Sequence, residues 1–205
     1  MEEKERDDNS YLVGIKRHRQ DRHEKLLKET AAVFAKLGIA HVSMDKVAKE
    51  VGVTKVVLYR YFKSKDDLIN LILSQFVDKL LDSNDSDFKW GRKVVAENLV
   101  IVRENQDASL LLMHHTIHDP KFGHHYKRLH GDLVESTIKR INNDFDINES
   151  NVINARFFSE CLCTFILDAM RGWVVSGEPI KDREFVRWAV QSMAGLGKAW
   201  SEPPK

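Results

Sequence analysis

A chain of 205 residues is long enough for one or two domains with real cores. Its 42% hydrophobic and 31% charged residues exclude a disordered polypeptide, and two cysteines exclude a disulfide-stapled fold. The formal net charge of +1 conceals an uneven distribution, since residues 16–65 carry 13 Lys and Arg against 5 Asp and Glu. A basic module attached to a mildly acidic body points to a polyanionic partner for the first part alone.

Scarce proline and the absence of strand-type alternation predict an all-α chain of about nine helices. Residues 1–15 read as a mobile charged arm. The first helix is expected from near Asp21 to Leu37, with Leu26, Leu27, Ala31, Phe34 and Leu37 as its buried stripe and Gly38 as a left-handed stop. Ser43 caps a second helix that buries Met44, Val47, Ala48 and Val51 and ends at Gly52. Thr54 caps a third, ending near Phe62. Ser64 opens a fourth, with Asp67 as an acidic capping-box partner. Ser83 to Asp87 reads as a loop. Further helices are expected from Phe88 to Glu104, Asp107 to His118, Pro120 to Asn143, Glu149 to Ser176 and Asp182 to Trp200. Gly131 suggests a close backbone approach within the Pro120–Asn143 helix.

Residues 43–65 carry the most specific chemistry. A major-groove reader needs a short helix held at a fixed angle by another helix, with an exposed face of hydrogen-bonding groups. Val47, Ala48, Val51, Val53 and Leu58 supply the interlocking apolar positions, and Gly52 supplies the tight turn. Lys55, Val56, Tyr59 and Arg60 fall on the outward face, with Tyr61 at its rim. Lysine and arginine bond guanine edges, an apolar side chain meets a thymine methyl, and tyrosine hydroxyls hold phosphate.

With Phe34-Ala35-Lys36-Leu37-Gly38, then Ser43 to Val53, then Leu58-Tyr59-Arg60-Tyr61-Phe62-Lys63-Ser64-Lys65-Asp66-Asp67-Leu68, the sequence resembles the DNA-binding domain of the TetR family of bacterial transcriptional regulators. The motif resemblance covers about residues 20–80. It implies a helix-turn-helix domain over residues 16–65 and an effector-binding and dimerisation domain over residues 66–205. It also implies that Lys55, Val56, Tyr59 and Arg60 face the groove, that Ser43, Tyr61 and Lys65 hold the DNA backbone, and that Thr54 caps the recognition helix and contacts phosphate. Val56 departs from the Gly, Pro or Ala common there in the family, so the operator sequence is not transferable.

The helix expected over Glu149–Ser176 is apolar nearly all round and needs cover on more than one side. A homodimer interface through Phe165, Trp173, Phe185, Trp188, Ser192 and Leu196 meets that need, and a two-fold dimer suits a palindromic operator. An effector pocket is expected around Met113, Ile117, Tyr126, Phe158, Cys161 and Phe165, favouring a small apolar or aromatic molecule.

Six histidines lie between His114 and His130, but no Cys or carboxylate completes a metal set, so neither metal nor cofactor is expected. Cys161 and Cys163 read as small core residues on different faces of one helix. No nucleophile–base pair or phosphate-cradling loop argues for an enzyme. There is no apolar signal region, and Glu160, Asp168 and Arg171 interrupt the most apolar run. A cytoplasmic protein without a membrane span is therefore expected. The function expected is a DNA-binding regulator, a repressor released from its operator by a small effector. The alternative is a regulator of the same fold controlled by a protein partner or by DNA occupancy.

Overall fold

The computed structural model describes residues 2–84, 91–144 and 154–201, with the backbone alone for 2–16, 84 and 142–144. Every element among the described residues is helical. The chain divides into two compact units, Met1–Ile72 and Leu73–Lys205.

The first unit contains α1 (Glu2–Leu37), α2 (Met44–Val51), α3 (Lys55–Tyr61) and the opening turns of α4 (Lys65–Asn84). Leu26, Leu27, Ala31 and Phe34 of α1 are buried together with Val42, Val47, Ala48, Leu58, Phe62, Leu68 and Ile69. α1 packs on α2, and α2 on α3. The helix starts follow from local hydrogen bonds. Ser43 Oγ accepts from Lys46 N at 3.3 Å, Thr54 Oγ1 from Val57 N at 3.3 Å, and Ser64 Oγ from Asp67 N at 3.1 Å. Gly52 ends α2 at φ 75°, where Gly52 N donates to Lys49 O and Val53 N to Ala48 O. This pairing satisfies two carbonyls that the helix end would otherwise leave open.

The expected arm is a correction. Helical backbone already begins at Glu2, so α1 is 36 residues long rather than starting near Asp21. Residues 2–13 contain no Gly or Pro and many strong helix formers, and a polar helix of this kind has no apolar stripe to announce it.

The second unit contains the rest of α4, then α5 (Arg92–Glu104), α6 (Gln106–Leu110), a π-helical turn over Leu111–His115, α7 (Gly123–Asp144), α8 (Ala155–Ser176), a 3₁₀ turn over Pro179–Lys181, and α9 (Asp182–Ser201). α7 packs on α8, and α9 packs on both α5 and α8. Leu99, Val102, Leu111, Leu112, Leu129, Val134, Cys163 and Ala189 lie in its core. Arg103 ties α5 to the start of α9 by a fork of two bonds to Asp182, Nε–Oδ2 at 2.7 Å and Nη2–Oδ1 at 2.6 Å. Trp173 Nε1 donates to the same carboxylate at 2.8 Å. The Arg103 hydrogen bond, with help from Trp173, holds the Asp182 carboxyl below its ordinary range.

Several expected boundaries change. Ser83 and Asn84 belong to α4 rather than to a loop, and residues 85–90, which include the start expected at Phe88, lie outside the described residues. The start expected at Glu149 also lies outside them, and α8 is described from Ala155, where Asn154 Oδ1 caps Phe157 N. The helix expected from Asp107 to His118 is broken by the π turn. Thr116 N and Thr116 Oγ1 both donate to Leu111 O, at 2.9 and 3.0 Å, which imposes the five-residue spacing. Open space surrounds Gly131, so no backbone approaches it. Backbone comes close instead at Gly123, where an added Cβ would lie 3.0 Å from Ile117 O, and at Gly177 an added Cβ would strike the Trp173 ring.

Candidate nucleic-acid interface

α3 is seven residues long, and its burial is nearly all in Leu58. The remaining surface is free to meet another molecule. Val56 is 70% exposed and Tyr59 43% exposed, an unusual expenditure of apolar area for a helix whose only task is packing. Lys55 and Arg60 are exposed on the same helix. The lock beneath it is as expected in Val47, Ala48 and Leu58, with Val51 and Val53 half-buried.

Five of the expected contact residues already have partners. Lys55 Nζ sits 2.8 Å from Asp45 Oδ1 and 3.0 Å from Oδ2, and 5.8 Å from the Tyr59 ring centre. The Asp45 hydrogen bond and charge raise the Lys55 ammonium above its ordinary value. Lys65 Nζ donates to Ile39 O at 2.7 Å, fastening the α1–α2 connection to the start of α4. Tyr61 is half-buried in an aromatic group with His23 and Phe62, at ring distances of 6.0 and 6.2 Å. Ser43 is exposed, but its Oγ already caps α2, as that of Thr54 caps α3. Sequence reasoning missed Asp45 and His23. Asp45 was legible as an exposed acidic residue on α2, but its pairing ten residues along depends on the angle between two helices.

The expected effector residues do not converge. A small internal space of about 30 Å³ is lined by Leu80, Val94, Asn98, Met113, Leu133, Ile166 and Met170 among others, and of the six expected residues only Met113 reaches it. Phe158 stacks on Trp200 at 4.7 Å, Phe165 lies against Trp188 at 5.8 Å, and Tyr126 stacks on His130 at 5.7 Å. Ile117 is half-buried away from that lining. Cys161 is exposed, contrary to its reading as a core residue, whereas Cys163 is buried and its thiol is pushed up to about 11 by burial. A larger groove of about 550 Å³ runs between α5 and α9, with Ala96, Leu99, Val100 and Val186 along it and Arg92, Arg183 and Arg187 around it.

The expected interface residues separate into two sets. Trp173 and Phe185 stack on each other at 5.1 Å within the chain, and Phe185 is buried. Trp188 and Leu196 stay exposed at 49% and 44%, beside half-buried Phe165 and Ser192. The histidines pair as His114–His115 and His124–His125, and no group of three or more metal-binding side chains occurs among the described residues. No described helix is long and apolar enough to cross a membrane.

A family model described as "Bacterial regulatory proteins, tetR family" matches residues 26–72, the segment that contains the capped α2–α3 pair. Residues 26–72 are a DNA-binding domain of the TetR family. The HTH-type transcriptional activator FasR of Mycolicibacterium smegmatis is 25% identical over 186 residues, spanning 87% of this chain and 84% of that protein. An uncharacterized HTH-type regulator of Mycobacterium tuberculosis is 37% identical over 67 residues, 33% of this chain and 28% of the relative. Among solved structures, the fatty acid degradation regulator FadR of Bacillus halodurans aligns with a TM-score of 0.64 at 17% identity, covering 84% of this chain and 94% of that one. The ketosteroid regulator KstR2 of Mycobacterium tuberculosis aligns at 0.61 and 17%, covering 89% and 96%. At such identities the structural likeness establishes the fold. The role comes from the family model and the curated relatives, which make the chain a transcriptional regulator with a TetR-type helix-turn-helix and not an enzyme.

Proposed function

We propose that the protein is a cytoplasmic, homodimeric repressor that occupies a palindromic operator and leaves it when a small, largely apolar or aromatic effector binds. Residues 16–65 form the DNA-binding part and residues 66–205 the effector and dimer part. The observation that carries the DNA half of this reading is the exposed face of α3, where Val56, Tyr59 and Arg60 stand clear of a fully buried Leu58. On this reading Val56 meets a thymine methyl, Lys55 and Arg60 reach guanine edges with Tyr59 beside them in the groove, and Ser43, Thr54, Tyr61 and Lys65 align the phosphates. Exposed Trp188 and Leu196 support pairing with a second copy.

Effector binding would enlarge the apolar space ringed by Val94, Met113, Ile166 and Met170, shift α4, and change the separation of the paired recognition helices. A second reading is control by a protein partner or by DNA occupancy. The near-filled interior favours it, because about 30 Å³ admits roughly one water.

The test selects bound DNA from a random pool, places that operator before a reporter, and screens apolar and aromatic compounds for release. A symmetric operator, reporter expression that rises when the regulator is deleted, and a releasing compound are expected. Expression that falls on deletion overturns repression, the direction of the FasR name. Release by no compound, but by a cell protein, favours the second reading.

A further inference from the structure

We propose that Asp45 is a specificity-determining residue of the DNA reader, acting as a latch that occupies Lys55 until a DNA edge replaces it. This inference rests on the reading that Lys55 faces DNA. Three observations lead to it. Asp45 and Lys55 come from different helices, yet both carboxylate oxygens lie within 3.0 Å of the same ammonium. Both side chains are more than half exposed, so the pair lies on the surface and not in the lock beneath it. Tyr59, on the exposed face of α3, sits under the same ammonium. The latch therefore lies beside Val56 and Tyr59.

An exposed ion pair contributes little to folding, so stability alone gives Asp45 no strong purpose. On a surface that must approach a polyanion its effect is larger. Asp45 cancels one cation of the reader and repels phosphate itself. On unrelated DNA, where no acceptor pair is placed for it, Lys55 would exchange two carboxylate oxygens for at most one phosphate oxygen, one charge-assisted partner for another with little net gain. A correctly placed pair of acceptors, such as guanine O6 and N7, offers Lys55 a comparable set of bonds. The latch thus penalises unrelated DNA more than the operator, which is discrimination by an unfavourable element.

The test measures the affinity of the full chain for the selected operator and for an unrelated duplex across roughly 50 to 200 mM salt, with D45N, K55M and the double variant. Removing the latch is expected to raise affinity for the unrelated duplex roughly three- to tenfold and for the operator by less. It should also steepen the salt dependence of log K by about 0.9, the value of one newly available phosphate contact. The gain from D45N should be clearly smaller in the K55M background than in the native chain, because only the repulsion of phosphate by Asp45 remains to be removed. Melting curves confirm that each variant is folded. Asp45 has no such role if D45N leaves the unrelated duplex and its salt slope unchanged while K55M weakens the operator; Lys55 then still reads DNA. If D45N strengthens binding equally in the K55M background, Asp45 acts by repulsion alone and the latch is overturned. If K55M alters neither duplex, the reading of Lys55 itself fails and the latch goes with it.

Discussion

His125 is the residue at which burial and charge conflict most clearly. Its ring is buried, 4.0 Å from that of His124, while Arg128 and its partner Asp78 stand nearby at a pair distance of 2.7 Å. Burial lowers the imidazole to about 4, with His124 and Arg128 adding to the effect and Asp78 opposing it. Above pH ~6.5 the ring is neutral in both the folded and unfolded chain and contributes no pH dependence. Between about 6.5 and 4 the unfolded chain takes up a proton that the folded chain refuses, so stability falls as the pH is lowered. By pH ~4.5 this loss reaches about 2–3 kcal/mol. Urea unfolding of the native chain and of H125N at several pH values checks it. The difference between them should narrow or reverse in favour of H125N on acidification, and parallel pH profiles would remove His125 as the cause.

At the scale of the element, what was legible followed locality. Ser43, Thr54 and Gly52 act through bonds to residues three to five positions away, so α2 and α3 could be bounded from sequence. The exposed face of α3 was equally legible, because periodicity places Leu58 opposite Val56 and Tyr59. The bond from Lys65 to Ile39 O and the Lys55–Asp45 pair span 26 and 10 residues and depend on how three helices meet. The residues expected around an effector scatter for a related reason. Phe158 and Phe165 are apolar on a nearly all-apolar helix, and periodicity there does not distinguish the inner face from the one stacked on Trp200 and Trp188. Gly52 offers a test of the local argument. At φ 75° nothing lies within 4 Å of an added Cβ, so Gly52→Ala introduces backbone strain without a clash. A loss of about 1 kcal/mol in stability is expected, with the angle between α2 and α3 disturbed and operator affinity lowered more than stability alone requires. Denaturant melts and operator titrations read the two effects separately. An unchanged melting midpoint would show that the turn does not need glycine.

For the whole molecule, the question is how a seven-residue helix yields useful specificity. One copy presents a few side chains to a few base pairs, and two copies joined rigidly convert the second docking into an intramolecular event. The proposed joining face is Trp188, Ser192 and Leu196 of α9 with Phe165 of α8, since Trp173 and Phe185 are already consumed by their own stack and by the bond to Asp182. Trp188→Glu places a charge where about half of the indole is exposed in the single chain, so the fold should survive while the interface does not. Sedimentation equilibrium is expected to find the native chain a dimer and the W188E chain a monomer. Affinity for the full operator should fall roughly 10²- to 10⁴-fold, with affinity for an isolated half-site nearly unchanged. A W188E chain that stays dimeric would move the interface off this face. A native chain that is monomeric yet binds the full operator as tightly as expected of two linked readers would remove the two-fold arrangement itself.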